Sequence, residues 1–366
     1  MIRPNYEDSI TNLACSIRRY FELDYKHNTI KEVDEVLDRI KPKNVVVILY
    51  DGMGFNILNR NLDKDSFLLK NCIRDYSSVV PCTTTASTTS MLSGMNPCEH
   101  GWLGWDLYIK PEDIIVTMFT NKLKDTSIEA RDYNVVRKYY DYNTITDDIN
   151  NQGKYRSSIL FPFGVGAYSN IKDMNNRILS ECNKNGKKYI YAYYEDPDAI
   201  MHEMGTDHIK VNKVINQINK STEELCSKLG KDTVVIVTAD HGHLNSSSIL
   251  LSDYEDFYNT LDGDVWVEGR MCSFKVKKGK HVLFKRLFKE YFGNDFILKS
   301  KKEIIDEKLF GIGEEHNLFR ESLGDYFGLA ISDKFFKYSI YSTDLKSMHA
   351  GFTEDEMRIP LIIISK

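Results

Sequence analysis

The sequence lacks three patterns that would each assign it to a class of protein. Its seven cysteines are scattered and form no C-x-x-C pair, which argues against a disulfide framework and a zinc knuckle. Positive charge is not in excess, since the net charge is −5, and no nucleic-acid footprint is expected. No apolar run approaches the about 18 residues of a membrane span, and no signal-peptide segment is evident. We therefore expect a reduced, cytoplasmic protein without a membrane partner.

The chain has 366 residues, of which 42% are apolar, enough for one large domain with a subdomain or for two domains. Continuous apolar runs predict buried strands at 45–49, 188–194, 232–237 and 358–364. Such runs are typical of strands covered on both faces, as in the parallel sheet of an α/β fold. Residues 132–153, rich in Tyr and Asn, are predicted to form irregular surface structure.

The pattern of apolar and polar residues changes between His243 and Ser347. Short strand-like and helical patterns follow each other there in no regular order, which predicts an α+β insertion. We therefore divide the chain into a metal-binding catalytic core of residues 1–243 and 346–366 and an inserted α+β subdomain of residues 244–345.

Two of the predicted strands run into acidic residues. The first ends at Asp51, with glycines at 52 and 54, and the strand at 232–237 leads into Asp240-His241-Gly242-His243. Ligand sites of open α/β sheets lie at the carboxyl ends of the strands. An acid in this place is also an ordinary helix N-cap, so Asp51 alone does not establish a site.

A hydroxyl-rich segment, residues 83–90, precedes Met91-Leu92 and predicts a helix that begins near Thr84 or Thr85. Ser and Thr are mediocre inside helices because their hydroxyls compete for backbone groups. The large number of hydroxyl side chains at this helix start therefore indicates that they have a function. The free N–H groups at a helix N-terminus favour a bound anion and an ionised hydroxyl. An over-capped helix is the alternative.

A carboxylate and an imidazole recur at Asp198 and His202, which follow the strand at 188–194. Their four-residue spacing places them on one face of a helical turn, a natural half-site for zinc. Such pairs also arise by chance. His349 precedes the last predicted strand and, alone, is easily interpreted as a loop residue.

Taken together, these segments resemble the alkaline phosphatase superfamily, in particular its nucleotide pyrophosphatase/phosphodiesterase-like branch. The motifs stand in the family's order: Asp51-Gly52, Pro81-x-x-Thr84 with Ser93-Gly94, Pro197-Asp198-x-x-x-His202, Asp240-His241-Gly242 and His349. The resemblance covers about residues 43–243 and 347–366. It implies an α/β fold, an alkaline-phosphatase-like three-layer sandwich with a mostly parallel sheet and an inserted α+β subdomain.

The resemblance also implies two divalent metal ions and a hydroxyl nucleophile. Asp198, His202 and His349 resemble the ligands of one metal, and Asp51, Asp240 and His241 those of the other. Thr84 resembles the nucleophile and touches the second metal; it is preferred to Thr83 and Thr85 because it lies three residues after Pro81 and ten before Gly94. Carboxylate and imidazole ligands suit Zn²⁺, with Mn²⁺ or Fe as alternatives.

The implied function is hydrolysis of phosphoric esters, with a phosphodiester or nucleotide pyrophosphate as the small substrate and a phospho-threonine intermediate. A phosphomonoesterase or phosphomutase of the same superfamily, or a non-catalytic metal-binding scaffold, are the alternatives. One position departs from the branch, since Trp105 stands where an Asn usually holds a phosphate oxygen. Trp102, Trp105 and His243 are candidates for the substrate pocket, with packing or capping as an equal alternative. The sulfatase nucleophile signature is absent around Cys82.

Overall fold

A computed structural model describes residues 1–338 and 344–365 of the chain. The helices are α1 (Ile10–Tyr20), α2 (Lys31–Ile40), α3 (Phe55–Asn61), α4 (Phe67–Lys70), α5 (Thr84–Ser93), α6 (Pro97–His100), α7 (Val135–Tyr139), α8 (Ile145–Gln152), α9 (Ile171–Cys182), α10 (Asp198–Met204), α11 (Ile209–Lys228), α12 (Glu255–Tyr258), α13 (His281–Phe292), α14 (Lys301–Asp306) and α15 (Glu354–Met357). The strands are β1 (Asn44–Tyr50), β2 (Cys72–Ser77), β3 (Asp106–Ile109), β4 (Ile114–Thr117), β5 (Lys122–Leu123), β6 (Arg156–Leu160), β7 (Lys188–Tyr194), β8 (Thr233–Thr238), β9 (Leu244–Asn245), β10 (Ser247–Leu250), β11 (Trp266–Val267), β12 (Met271–Phe274), β13 (Phe296–Ser300), β14 (Tyr326–Ala330), β15 (Lys334–Lys337), β16 (Ser347–Met348) and β17 (Arg358–Ser365).

The central sheet has six strands in the order β2-β17-β8-β1-β7-β6. Strands β6, β7, β1 and β8 are parallel, whereas β17 is antiparallel to both of its neighbours. All seven residues of β1 are buried, because this branched apolar strand is covered on both faces. The predicted α/β fold with a mostly parallel sheet is confirmed.

The register of the central sheet brings three strand ends to the same edge. Tyr50 at the end of β1 pairs with Tyr194 at the end of β7, and Leu49 pairs with Thr238 at the end of β8. The segments that follow β1, β7 and β8 therefore leave the sheet side by side, and these are the segments that carry the predicted acidic residues.

A second sheet lies outside the central one and has seven strands in the order β13-β14-β12-β11-β3-β4-β5. It joins three strands from residues 106–123 to four from residues 266–330, so the predicted insertion shares a sheet with a segment of the predicted core. The division into core and inserted subdomain stays a prediction. Its residues 339–343 and 366 lie outside the described part of the chain.

The interpretation of residues 132–153 as irregular surface was wrong, because the segment contains α7 and α8. The side chains of Asn134 and Thr144 cap these helices by accepting a hydrogen bond from the backbone three residues on. Ile145 and Ile149 then bury one face of α8 in the main core. Within residues 1–338 and 344–365, no helix combines the length and the apolar character that a membrane crossing requires.

Candidate metal centre and nucleophile

The seven side chains that the resemblance singled out converge at the carboxyl edge of the central sheet. Asp51 directly follows β1, Asp240 and His241 follow β8, and α10 begins at Asp198 just after β7. The remaining residues arrive from other elements: His202 from α10, Thr84 from the first position of α5 and His349 from the residue after β16.

Glycines allow the loops after β1 and β8 to approach each other. Gly52 has a φ of +69°, a conformation that L side chains rarely adopt, and a Cβ there would lie 3.0 Å from the Cβ of Asp198. A Cβ at Gly54 would lie 2.5 Å from the Cα of Gly242. The two glycines after Asp51 are therefore required by the close packing that brings the acidic residues together.

The first cluster contains Asp51, Asp240, His241 and Thr84. The Nε2 atom of His241 lies 3.3 Å from Asp51 Oδ1 and 3.6 Å from Asp240 Oδ2. The Thr84 hydroxyl lies 3.2 Å from the same Nε2 and 3.4 Å from both Asp51 oxygens. Asp240 Oδ1 accepts hydrogen bonds from the backbone N–H groups of Gly52 and His241, which fixes its carboxylate.

Only one of the three consecutive threonines directs its hydroxyl into this cluster. Thr84 is half-buried and contacts Asp51 and His241, as described above. Thr83 is buried, and its hydroxyl donates to Glu268 at 2.7 Å. The hydroxyl of Thr85 is buried and has no hydrogen-bond partner among the described residues. In the sequence, the distances to Pro81 and Gly94 favoured Thr84 over Thr83 and Thr85 by only a small margin. The geometry distinguishes Thr84 clearly, because its hydroxyl is the one that contacts the cluster.

The second cluster surrounds Asp198. Its Oδ1 atom lies 3.4 Å from His202 Nε2 and 3.9 Å from His349 Nε2, and it also contacts His243 Nε2. His202 Nδ1 lies 2.8 Å from the carbonyl oxygen of Ser347, so this ring donates through Nδ1 and turns Nε2 toward Asp198. Ligand atoms of Asp198, His241, His243 and His349 all lie within 4.8 Å of one another, as do those of Asp51, Asp240 and His241.

The electrostatics of the first cluster, whose two carboxylates repel each other, fit a bound cation. Burial raises the pKa of Asp51 well above its ordinary value, and the Asp198 carboxylate raises it further. Burial, followed by the charge of Asp51, raises the pKa of Asp240 in the same way. Asp240 Oδ2 and His349 Nδ1 are buried, and no residue within 1–338 or 344–365 forms a hydrogen bond with either atom. Burying carboxylates that repel each other is unfavourable unless a positive charge compensates them. Divalent cations would supply that charge and would bind the unpaired oxygen and nitrogen atoms as ligands.

Two residues near the clusters were not predicted. The Tyr193 hydroxyl, at the end of β7, donates to Asp51 Oδ2. Glu268 lies in the turn between β11 and β12 and accepts from Thr83 and from the backbone N–H of Trp105. The sequence could have indicated Tyr193, because it is a tyrosine near the end of the predicted strand that neighbours β1. No motif marks Glu268.

The three predicted pocket residues occupy different environments. His243 is fully buried, and its Nδ1 lies 3.0 Å from the Ser347 hydroxyl. Its other ring nitrogen, Nε2, contacts Asp198 Oδ1. Trp102 is buried in the second core, with its indole N–H donating to the carbonyl of Tyr140. Trp105 is 45% exposed and packs edge-on against Phe119. Of the three, Trp105 alone offers a large exposed surface.

Comparison with known proteins finds proteins of similar fold and one matching family. A search of curated protein sequences finds no match. Among solved structures, murine ectonucleotide pyrophosphatase / phosphodiesterase 5 is similar with a TM-score of 0.66 at 16% identity, over 87% of each chain. Phosphonoacetate hydrolase from Sinorhizobium meliloti 1021 with phosphonoacetate is similar with a TM-score of 0.66 at 15% identity, over 88% of this chain and 90% of that chain.

At these identities the solved structures establish the fold, and the family rests on a different match. The family model described as type I phosphodiesterase / nucleotide pyrophosphatase matches residues 45–285, about two-thirds of the sequence. The matched range includes every member of the two clusters except His349. The resemblance to the phosphodiesterase-like branch of the alkaline phosphatase superfamily is thereby confirmed, and the chain belongs to the type I phosphodiesterase / nucleotide pyrophosphatase family of hydrolytic enzymes.

Proposed function

We propose that the protein hydrolyses phosphodiester or nucleotide pyrophosphate bonds through a phospho-threonine intermediate on Thr84. One observation carries the proposal: the half-buried Thr84 hydroxyl lies 3.2 Å from His241 Nε2 and 3.4 Å from both oxygens of Asp51. A hydroxyl at the junction of a carboxylate and an imidazole, on the first residue of a helix, is placed for attack on an electrophilic phosphorus.

The proposed ligands are Asp198, His202 and His349 for one divalent cation, and Asp51, Asp240, His241 and Thr84 for the other. Zn²⁺ is the preferred metal because the set mixes carboxylates with imidazoles, and Mn²⁺ and Fe are the alternatives. His243 is a further candidate for the Asp198 cluster. When bound, such cations favour an ionised hydroxyl and offset negative charge on phosphoryl oxygens.

The chain's own residues account for the order of events. Asp51 and His241 orient the Thr84 hydroxyl, and the free N–H groups at the start of α5 favour negative charge beside it. Thr84 Oγ1 forms a bond to phosphorus while the bond to the leaving oxygen breaks, and the leaving alcohol or phosphate takes up a proton. A water molecule then cleaves the bond between phosphorus and Thr84 and restores the hydroxyl.

The charge of the site favours a substrate with a single negative charge. Two divalent cations, three carboxylates and neutral imidazoles add to about +1, which complements a diester better than a doubly charged monoester. No arginine lies within the motifs that form the two clusters. A nucleotide-type substrate is further supported by murine ectonucleotide pyrophosphatase / phosphodiesterase 5, whose inactive variant was solved in complex with AMP.

A cytoplasmic location completes the proposal. Six cysteines, Cys15, Cys72, Cys82, Cys98, Cys182 and Cys272, are free thiols. Four of the seven belong to the buried cores. A reduced compartment suits this state. Fractionation of cells that express the chain tests the location, and recovery of the protein outside the cytoplasm would contradict it.

The activity is tested by hydrolysis of bis(p-nitrophenyl) phosphate and p-nitrophenyl phosphate after removal of metals and re-addition of zinc or manganese. We expect metal-dependent turnover with preference for the diester, and a loss of about a thousandfold in Thr84→Ala. Thr85→Ala is the matched control, because it removes the neighbouring hydroxyl, which makes no hydrogen bond within the described part of the chain. The proposal would be refuted if Thr84→Ala, with its full metal content, turned over substrate as fast as the wild type. Preference of the wild type for the monoester would favour the phosphomonoesterase alternative.

A further inference from the structure

Glu268 is a buried acid that the proposed reaction does not use. It lies in the turn between β11 and β12 and follows Val267, whose φ of +82° is a strained conformation for a branched residue. The backbone is therefore held in an unfavourable geometry at the point from which the Glu268 side chain departs. Glu268 is only 8% exposed, although it carries an ionisable group.

The Glu268 carboxyl lies at the start of the nucleophile's helix. Its Oε1 atom accepts from the hydroxyl of Thr83 at 2.7 Å and from the backbone N–H of Trp105 at 2.8 Å. Thr83 is the N-cap of α5 and directly precedes Thr84. Both donors reach the same oxygen, and no donor from residues 1–338 or 344–365 reaches Oε2. One carboxyl oxygen is thus fixed and the other is left for a ligand or solvent.

The charge of Glu268 has no cationic counterpart in the described ranges 1–338 and 344–365, where no ion pair includes it. Its electrostatic neighbours are Asp106 on β3, His241 of the metal cluster and Tyr338 after β15. Burial raises the pKa of Glu268 to about 7. Its hydrogen bond to Thr83, the residue directly before Thr84, places the carboxyl beside the start of the helix that carries the nucleophile.

This placement matters because of the neighbouring position 105. Trp105 offers no side-chain amide to a phosphate oxygen, and its backbone N–H is occupied by Glu268. A phosphoryl group attacked by Thr84 would therefore meet a carboxylate on this side in place of a hydrogen-bond donor. With an ionised Glu268, the charge of the site falls from about +1 to about 0.

We propose that Glu268 is a specificity-determining residue that disfavours doubly charged phosphate groups and so selects singly charged phosphodiesters over monoesters and inorganic phosphate. The proposal rests on the proposed function of the same site. One like charge beside a second phosphate charge corresponds to a discrimination of about tenfold to a hundredfold at a partly screened site.

The variant Glu268→Gln tests the proposal, because its amide oxygen can still accept from Thr83 and Trp105 while the charge is removed. At about pH 8.5 the comparison is between a carboxylate and an amide. We expect kcat/KM for p-nitrophenyl phosphate to rise about tenfold and that for bis(p-nitrophenyl) phosphate to change less than about threefold. The Kd for inorganic phosphate, measured by calorimetry on the zinc-loaded protein, should fall about tenfold.

Asp106→Asn is the matched control. Asp106 is another buried acid of the same sheet, but its Oδ1 accepts from Thr117 on β4, and among residues 1–338 and 344–365 no hydrogen bond or ion pair joins it to α5. At about pH 8.5 Glu268 is ionised with or without the neighbouring Asp106 charge, so the ratio of the two activities should stay within about threefold. An equal change of both activities in Glu268→Gln, with phosphate affinity unchanged, would assign Glu268 a purely positioning role and overturn the proposal.

Failure of this proposal is distinguishable from failure of the proposed function. If neither ester is hydrolysed by the wild type, the phosphate titration still compares Glu268→Gln with the wild type. Tighter phosphate binding by the variant would then support charge selection in a site with another reaction, and equal binding would refute it.

Discussion

The loop that carries His349 depends on a buried ion pair, and replacing its arginine should cost both stability and metal affinity. Arg270 binds Glu356 through Nε at 2.6 Å and through a terminal nitrogen at 2.9 Å, and both side chains are fully buried. Glu356 Oε1 also accepts from the backbone N–H of Gly351, two residues after His349. In Arg270→Met the Glu356 charge would remain buried without its partner.

The expected loss is about 3–5 kcal/mol of unfolding free energy, because an uncompensated buried charge costs more than the pair contributes. The unfolding entropy of a chain of this length is about 0.8 kcal/mol/K, so the melting temperature should fall by about 5 °C. The assay is thermal unfolding by circular dichroism with and without zinc, together with the zinc content of the purified variant.

Arg60→Met is the matched control, since Arg60 pairs with Asp355, the residue next to Glu356, in a largely exposed bridge. That pair should contribute less than about 1 kcal/mol. The reasoning would be refuted if Arg270→Met were no less stable than Arg60→Met, or if it bound zinc as well as the wild type while its melting temperature fell.

Three further changes have defined outcomes. Tyr193→Phe removes the hydroxyl that donates to Asp51 and should weaken zinc binding about tenfold in competition with a chelator; Tyr194→Phe, the next residue, is the control, and equal affinities would contradict the assignment. His349→Ala should lower the bound zinc by about one ion per chain, measured by atomic emission, whereas the distant His281→Ala should not. The pKa of Glu268 is raised from 4.5 to about 7, so its contribution makes the metal-free protein less stable as the pH rises through that window. In Glu268→Gln the unfolding free energy should decrease by about 3 kcal/mol less over this pH range than in the wild type. Identical pH dependence of the unfolding free energy in both proteins would contradict the raised pKa of Glu268.

The predicted members of the site share a local signal, which is why their proximity was predictable. Asp51, Asp198 and Asp240 each follow a strand of apolar residues, and parallel strands end at one edge of their sheet. The strand and the ligand are therefore neighbours in sequence, and periodicity is enough to locate both. Helix α13, at His281–Phe292, has the same property, since its apolar spacing is local.

The parts that escaped prediction depend on contacts between distant segments. Glu268 meets Thr83 and Trp105 across separations of 185 and 163 residues, and nothing near residue 268 marks that meeting. The second sheet likewise pairs Val267 of β11 with Asp106 of β3, a choice of partner that alternating patterns do not encode. Helices α7 and α8 were missed for another reason, because their short apolar faces were outweighed by polar residues that serve as caps.

The position of β17 has a consequence for synthesis on the ribosome. This strand, Arg358–Ser365, lies between β2 and β8, and β2 pairs with no other named strand of the described chain. Until it emerges, the nascent chain carries β8 as an open apolar edge and β2 as an unattached ribbon, two surfaces that invite pairing with other chains. The central sheet can therefore close only after residues 358–365 have left the exit tunnel, and until then its open strand edges make the nascent chain prone to aggregation.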